Sequence, residues 1–147
     1  FPCHARYKRV YLSPGTGIIS DFGYASKFTD ETFIPAGLLM TRVISHGGPG
    51  LFTLDLGYKG IAADPPGLKG CLMGDWHASP INQNEEHWIW KMDEGYEDQR
   101  PGIGSVLYVI PTHICPTSAL YPEALVALDG QIVDIWEVTA RNRKLSI

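Results

Sequence analysis

The sequence contains no run of about 18 apolar residues, so none of it is expected to form a helix that crosses a bilayer. It also lacks a basic stripe. Twelve Lys and Arg against 16 Asp and Glu leave a net charge of −4, with the two signs interleaved. No nucleic-acid partner is expected, because phosphate backbones demand clustered cations. Cysteine is scarce and odd in number, at Cys3, Cys71 and Cys115. That argues against a disulfide framework and predicts a reducing, cytoplasmic setting. No phosphate loop, dinucleotide fingerprint, nucleophile elbow or paired Cys-x-x-Cys occurs. Long helical periodicity, internal repeats and low-complexity tracts are missing as well. Finally, Phe1-Pro2-Cys3-His4-Ala5-Arg6 carries neither an initiator methionine nor a signal-peptide pattern. The expectation is a chain that begins mid-protein or has been processed.

What the sequence does have is punctuation. Its 147 residues are 44% apolar, enough for one core. Sixteen glycines and 11 prolines fall between short apolar runs, the pattern of an antiparallel all-β domain with short helical turns. Strands are predicted at Arg9 to Leu12, Gly17 to Asp21, Leu38 to Ser45, Leu51 to Leu56, His87 to Met92 and Ser105 to Ile110. Gly47-Gly48-Pro49-Gly50 makes residues 38–56 a hairpin. Pro111 should end its strand, since it has no N–H for the ladder. Asp129-Gly130, between Glu123–Leu128 and Ile132–Val138, predicts a second hairpin with a type I′ turn. Residues 62–84 show no periodicity. Their Cys71, Met73, Trp76 and His77 argue for an ordered, partly buried loop.

Chemistry concentrates in Pro111-Thr112-His113-Ile114-Cys115-Pro116-Thr117. In an extended chain, His113 and Cys115 share a face and lie roughly 6.5–7 Å apart at Cα. An imidazole nitrogen and a thiolate could then converge on one cation, at about 2.0–2.1 and 2.3 Å for zinc. Two ligands are too few for a closed structural site but suit a catalytic ion with open positions. The alternative is a hydrogen-bonded strand-end histidine beside an inert cysteine. Glu85-Glu86-His87 forms a second cluster, suited to proton transfer or a third ligand, or else a junction whose charges face water. Lys59 is a formal Schiff-base candidate, but such a lysine needs a desolvated pocket. A solvent-exposed hairpin lysine is the plainer reading.

In order along the chain, these segments resemble the C-terminal domain of the D-threonine aldolase and D-serine dehydratase family. The resemblance is carried by Ser13-Pro14-Gly15-Thr16 with Asp21-Phe22-Gly23-Tyr24, by Thr41-Arg42-Val43-Ile44-Ser45 with Leu54-Asp55-Leu56-Gly57-Tyr58-Lys59, and by Glu85-Glu86-His87. Pro111 to Thr117 looks like the family's metal motif. Asp129 to Trp136 and Ala140 to Arg143 look like its closing strands. The resemblance implies a two-domain enzyme with an N-terminal barrel holding pyridoxal phosphate and a closed or nearly closed, barrel-like antiparallel β domain, like that of alanine racemase, supplying a divalent metal. His113 and Cys115 would be the metal ligands, Glu86 and His87 candidate catalytic groups, and Thr112 and Thr117 orienting residues. The chain would then be one domain of a longer protein, with residues 1–9 a linker or the tail of the barrel and residues 10–147 the metal-bearing β domain. The family's aldolases resemble His-x-Asp at the metal motif and its dehydratases His-x-Cys. Thiolate favours zinc, and carboxylate favours manganese or magnesium. The implied activity is cleavage of D-threonine to glycine and an aldehyde, or deamination of D-serine to pyruvate and ammonia, with the cofactor supplying carbanion stabilisation. No cofactor lysine motif is present, so the chain alone is expected to be inactive. By analogy, its partners would be the barrel, a small D-amino acid and a second copy in a homodimer. The rival reading is a non-catalytic β binding module.

Overall fold

Alternating burial organises the central strands of the computed structural model, which describes residues 15–30, 32–142 and 144–145. In β1 (Leu39–Gly48), Leu39, Thr41 and Val43 point inward while Met40 and Arg42 face out. In β5 (Trp88–Met92), Trp88, Trp90 and Met92 are buried, and in β6 (Val106–Pro111) Leu107, Val109 and Pro111 are. Strand side chains alternate between faces, so one face of each strand feeds a common core. Phe52 and Leu54 from β2 (Leu51–Leu54) complete it with Leu56, Ile61 and Leu72. Each fully buried large side chain contributes about 1.5–3 kcal/mol.

Six strands form one antiparallel sheet in the order β3-β6-β1-β2-β5-β4, where β3 is Gly70–Leu72 and β4 is Ala78–Gln83. The sheet curls into a half-barrel, as the all-β expectation required. Two strands therefore lie inside residues 62–84, where a loop is predicted. Both sit at sheet edges, and β3 is only three residues long. β4 (Ala-Ser-Pro-Ile-Asn-Gln) carries a proline and a bulge next to Ile81. Edge strands with polar residues and bulges leave no periodicity to detect.

The closing hairpin matches its prediction. β7 (Glu123–Leu128) and β8 (Gln131–Glu137) pair across Asp129 and Gly130, whose φ values of 49° and 76° are the left-handed pair a type I′ turn demands. It stands as a separate two-stranded ribbon and does not close the main sheet. The predicted strand Gly17 to Asp21 is absent. A 3₁₀ turn (Thr16–Ile18) and a short helix, α1 (Phe22–Lys27), replace it. Asp21 caps that helix through its side chain, and this local bond prevails over the β-branched Ile18 and Ile19. The predicted strand Arg9 to Leu12, the tail 1–9 and Cys3 lie outside the described residues. No helix among the described residues is long and apolar enough to cross a membrane.

The Asp55-x-Gly57-x-Lys59 motif has a structural account. Asp55 accepts from the Thr41 hydroxyl at 2.8 Å, the Arg42 backbone N–H at 2.7 Å and the Arg42 Nε at 3.1 Å. It ties β1 to the segment leaving β2. Gly57 sits backbone to backbone on the β4–β5 turn: a Cβ there would lie 2.2 Å from the Glu85 carbonyl. Tyr58 and Lys59 donate backbone N–H groups to the Asn84 and Glu85 carbonyls. Lys59 Nζ then pairs with Glu86 at 2.5 Å and Glu85 at 3.5 Å.

Burial pushes the Asp55 carboxyl up, but the Arg42 backbone N–H, the Thr41 hydroxyl and the Arg42 guanidinium together outweigh it and hold the group below its ordinary value. A depressed carboxyl contributes stability above its unfolded value and loses it as pH falls through the folded one. Asp55→Ala should therefore cost about 1–3 kcal/mol at neutral pH. That deficit should shrink below the ordinary carboxylate range, read as the melting-temperature difference from the parent at each pH.

Candidate functional site

β6 ends at Pro111 and the chain turns directly into a short helix, α2 (Ile114–Ser118). His113 occupies the N-cap position with extended backbone, φ −138° and ψ 101°. The extended His113-x-Cys115 geometry expected from sequence is therefore corrected: Cys115 is the second residue of a helical turn. The cause lies 93 residues upstream of Ile114. Asp21 Oδ2 accepts the Ile114 backbone N–H at 3.0 Å, while Oδ1 accepts that of Tyr24 at 2.8 Å. One buried carboxylate thus caps both short helices. Pro116 does not oppose the turn, because N–H groups in a first helical turn have no intrahelical partner.

Other bonds fasten the same corner. Gly23 donates to the Thr112 carbonyl at 3.2 Å, and a Cβ on Gly23 would lie 2.3 Å from that oxygen. The buried Thr117 hydroxyl donates to the His113 carbonyl at 2.7 Å and accepts the Ala62 N–H at 3.2 Å. Thr112 donates from its hydroxyl to the Leu68 carbonyl and from its backbone to the Lys69 carbonyl, both at 2.8 Å. His113 is partly exposed and Cys115 exposed, so the corner is fixed from within and open outward.

The two side chains have distinct neighbours. His113 Nδ1 lies 2.6 Å from Asp64 Oδ2. Cys115 Sγ shares a hydrogen bond of 3.1 Å with the Thr16 hydroxyl. With Nδ1 engaged, the imidazole has one nitrogen left for a cation, and a second-sphere carboxylate on a ligating histidine is a common arrangement. Among the described residues no cluster of three or more His, Cys, Asp or Glu completes a cage. An imidazole nitrogen and a thiol are donor types a zinc ion accepts, and two such ligands would leave its remaining positions to water or substrate. Cys71, the other described free thiol, is half-buried on β3; burial pushes its pKa up and keeps it protonated.

Glu86 and His87 sit elsewhere, on the exposed turn between β4 and β5. Glu86 is engaged by Lys59, whose hydrogen bond and charge hold the carboxyl below its ordinary value. The same bond raises the Lys59 pKa, opposite to what a Schiff-base lysine needs. No hydrogen bond or ion pair among the described residues links this turn to His113 or Cys115. A cavity of about 370 Å³ is walled by Tyr58, Lys69, Asn82, Gln83 and Trp88, and none of the four candidate side chains lines it. Sequence reasoning missed Asp21, Asp64 and Thr16. Asp21 left a signal, an aspartate directly before a helix-compatible run. Asp64 left none, because a loop aspartate among prolines reads only as a turn.

The family described as "Putative serine dehydratase domain" matches residues 36–127. A D-threonine aldolase from Arthrobacter sp. is 32% identical over 135 residues, 89% of this chain and 34% of its own length. The chain belongs to this family. The solved D-threonine aldolase from Filomicrobium marinum superposes at a TM-score of 0.76 with 23% identity, over 88% of this chain and 35% of that one. A mutant of D-threo-3-hydroxyaspartate dehydratase in a metal-free form superposes at 0.58 with 22% identity, over 68% and 31%. These structures share the fold. This family member spans about a third of the length of the aldolases it matches.

Removing the shared cap should loosen both helices at once. Asp21→Ala is expected to cost about 1–2 kcal/mol for each cap lost. It should also speed alkylation of Cys115 relative to the parent while leaving the slower Cys71 unchanged, as peptide mass spectrometry would show.

Proposed function

We propose that this chain is the metal-bearing domain of a pyridoxal-phosphate-dependent lyase acting on D-3-hydroxy amino acids, with D-threonine aldolase as the leading activity. The observation that carries the reading is the open two-donor corner, where His113 and Cys115 project from a turn locked by Asp21 and Thr117. The family relationship to D-threonine aldolase supports the substrate class. The metal-free state named for a dehydratase of the same fold supports a metal in such enzymes.

His113 and Cys115 would hold the ion, and the imidazole–thiol pair favours zinc over manganese or magnesium. Such an ion supplies Lewis acidity toward a substrate hydroxyl or carboxylate. The chain's own work is to hold the two donors apart from the core and to leave the outer positions open. Thr117 fixes the His113 backbone, and Thr16 orients the Cys115 sulfur. Pyridoxal phosphate belongs to a barrel domain outside this chain: the exposed, ion-paired Lys59 is unsuited to it. Glu86 and His87 are secondary candidates on the exposed β4–β5 turn, where Glu86 is held by Lys59. D-Serine dehydratase is the second reading, favoured by the thiol at residue 115. A cytoplasmic location and a homodimer complete the proposal.

Two measurements test it. Elemental analysis of the purified chain should find about one zinc per chain in the parent and none in a His113→Ala/Cys115→Ala double variant. Equal metal in both, or none in either, overturns the assignment of the ligands. Joined to a barrel domain carrying the cofactor, the parent should release glycine from D-threonine. Release of pyruvate from D-serine instead would move the assignment to the dehydratase. Under the same conditions His113→Ala should lose more than about 100-fold in turnover and Glu86→Gln less than about 10-fold.

A further inference from the structure

The contact between Asp64 and His113 is short, yet both side chains are about half exposed, at 52% and 42%. An ion pair that open contributes little to stability. The loop carrying Asp64 is nevertheless held with unusual care. Lys69 Nζ donates to the carbonyls of Ala63, at 2.9 Å, and Pro65, the residues on either side of Asp64. Ahead of that clamp, the Ala62 N–H is fixed on Thr117 Oγ1, whose hydroxyl proton goes to the His113 carbonyl. Behind it, the Leu68 and Lys69 carbonyls accept both donors of Thr112. Both ends of the loop 62–69 are therefore stitched to the segment 112–117, and the clamp sets what lies between. These bonds define the place of one carboxylate relative to one imidazole.

We propose that Asp64 is a positioning residue that sets the tautomer and orientation of His113: its carboxylate accepts Nδ1–H, so the neutral ring presents a bare Nε2 outward as the ligating atom. The inference rests on the metal reading above for its purpose and on the hydrogen-bond geometry for its content. A neutral imidazole has one donor and one acceptor nitrogen, and a carboxylate can only accept. Fixing the proton on Nδ1 leaves the lone pair on Nε2, and the ring cannot flip without breaking the bond to Asp64. The Lys69 clamp acts one step further out, by keeping Asp64 from swinging away with its loop.

The test uses the parent chain with Asp64→Ala, Asp64→Asn, Lys69→Met and His113→Ala, each checked for an unchanged melting profile. Nitrogen-15 NMR of metal-free protein should show His113 protonated at Nδ1 in the parent. Asp64→Asn should keep that form, since the amide oxygen still accepts. Asp64→Ala should shift toward the Nε2–H form. Zinc affinity by competition with a chromophoric chelator should fall 10–100-fold in Asp64→Ala and less in Asp64→Asn and Lys69→Met. An Nε2–H ring in the parent overturns the proposal. So does an Asp64→Ala zinc affinity equal to the parent's when His113→Ala loses it. Zinc bound equally by parent and His113→Ala, with the Nδ1–H form intact in the parent, sinks the metal reading and leaves the positioning role of Asp64 standing.

Discussion

The Asp21 carboxylate is the constraint on which the candidate site depends. Its two oxygens cap two helices from distant parts of the chain, and neither helix is long enough to be stable by itself. α1 has six residues and α2 five, so most of their N–H groups have no intrahelical partner. Left uncapped, α2 would have no reason to begin at Ile114, and β6 would continue as extended chain through His113 and Cys115. The carboxylate is 1% exposed, so removing either N–H partner would leave a buried charge short of a hydrogen bond. The turn that sends the His113 and Cys115 side chains outward is thus set from inside the domain, before any ion is considered.

A second polar centre does comparable work for the sheet. Asp55 extends the β1–β2 contact just past the end of β2: its N–H donates to the Arg42 carbonyl and its carboxylate accepts from Thr41 and Arg42. Its neighbour Gly57 lets the chain leave β2 in contact with the β4–β5 turn, where any side chain would meet backbone. The Glu85 and Glu86 charges then face Lys59 across that contact. The pair is strongest between the two groups' own titration ranges: it fades as pH falls through the depressed Glu86 value and as pH rises through the elevated Lys59 value. A motif that reads as catalytic, with a carboxylate, a glycine and a lysine in regular spacing, therefore has a sufficient architectural explanation.

This contrast explains what could be read from the sequence. Strands β1, β2, β5 and β6 and the β7–β8 hairpin were legible because their burial alternates with period two or because their turns carry glycine and aspartate at positive φ. β3 and β4 were not, since edge strands need no apolar face. Residues 17–21 misled because Gly-Ile-Ile-Ser has the composition of a strand, while the side-chain cap that decides the matter comes from the next residue, Asp21. At the site, the identities of His113 and Cys115 were visible and their geometry was not. Residue spacing predicts a shared face only when the backbone state is known, and here that state is imposed by a carboxylate 93 residues away. Asp64 could not be found at all, because 49 residues and a clamped loop separate it from its partner.

The same separation bears on how such a site is built. Each group that sets the corner comes from a different part of the chain: Thr16 and Asp21 from the first turns, Asp64 and Lys69 from the loop before β3, His113 to Thr117 from the end of β6. The Gly70–Pro111 pairing of β3 with β6 aligns the loop carrying Asp64 and Lys69 with the segment that carries His113. The sheet is thus the frame and the hydrogen bonds are the fine adjustment. Core packing tolerates volume-conserving apolar exchanges with modest losses, whereas a donor atom displaced by an ångström no longer serves an ion. Directional bonds thus set orientation at the corner, while Phe52, Leu54, Trp88 and Trp90 supply much of the apolar burial. This division also accounts for two of the deeply buried polar side chains: Asp21 and Thr117 are each 1% exposed, and both make hydrogen bonds to the segment that carries the candidate ligands.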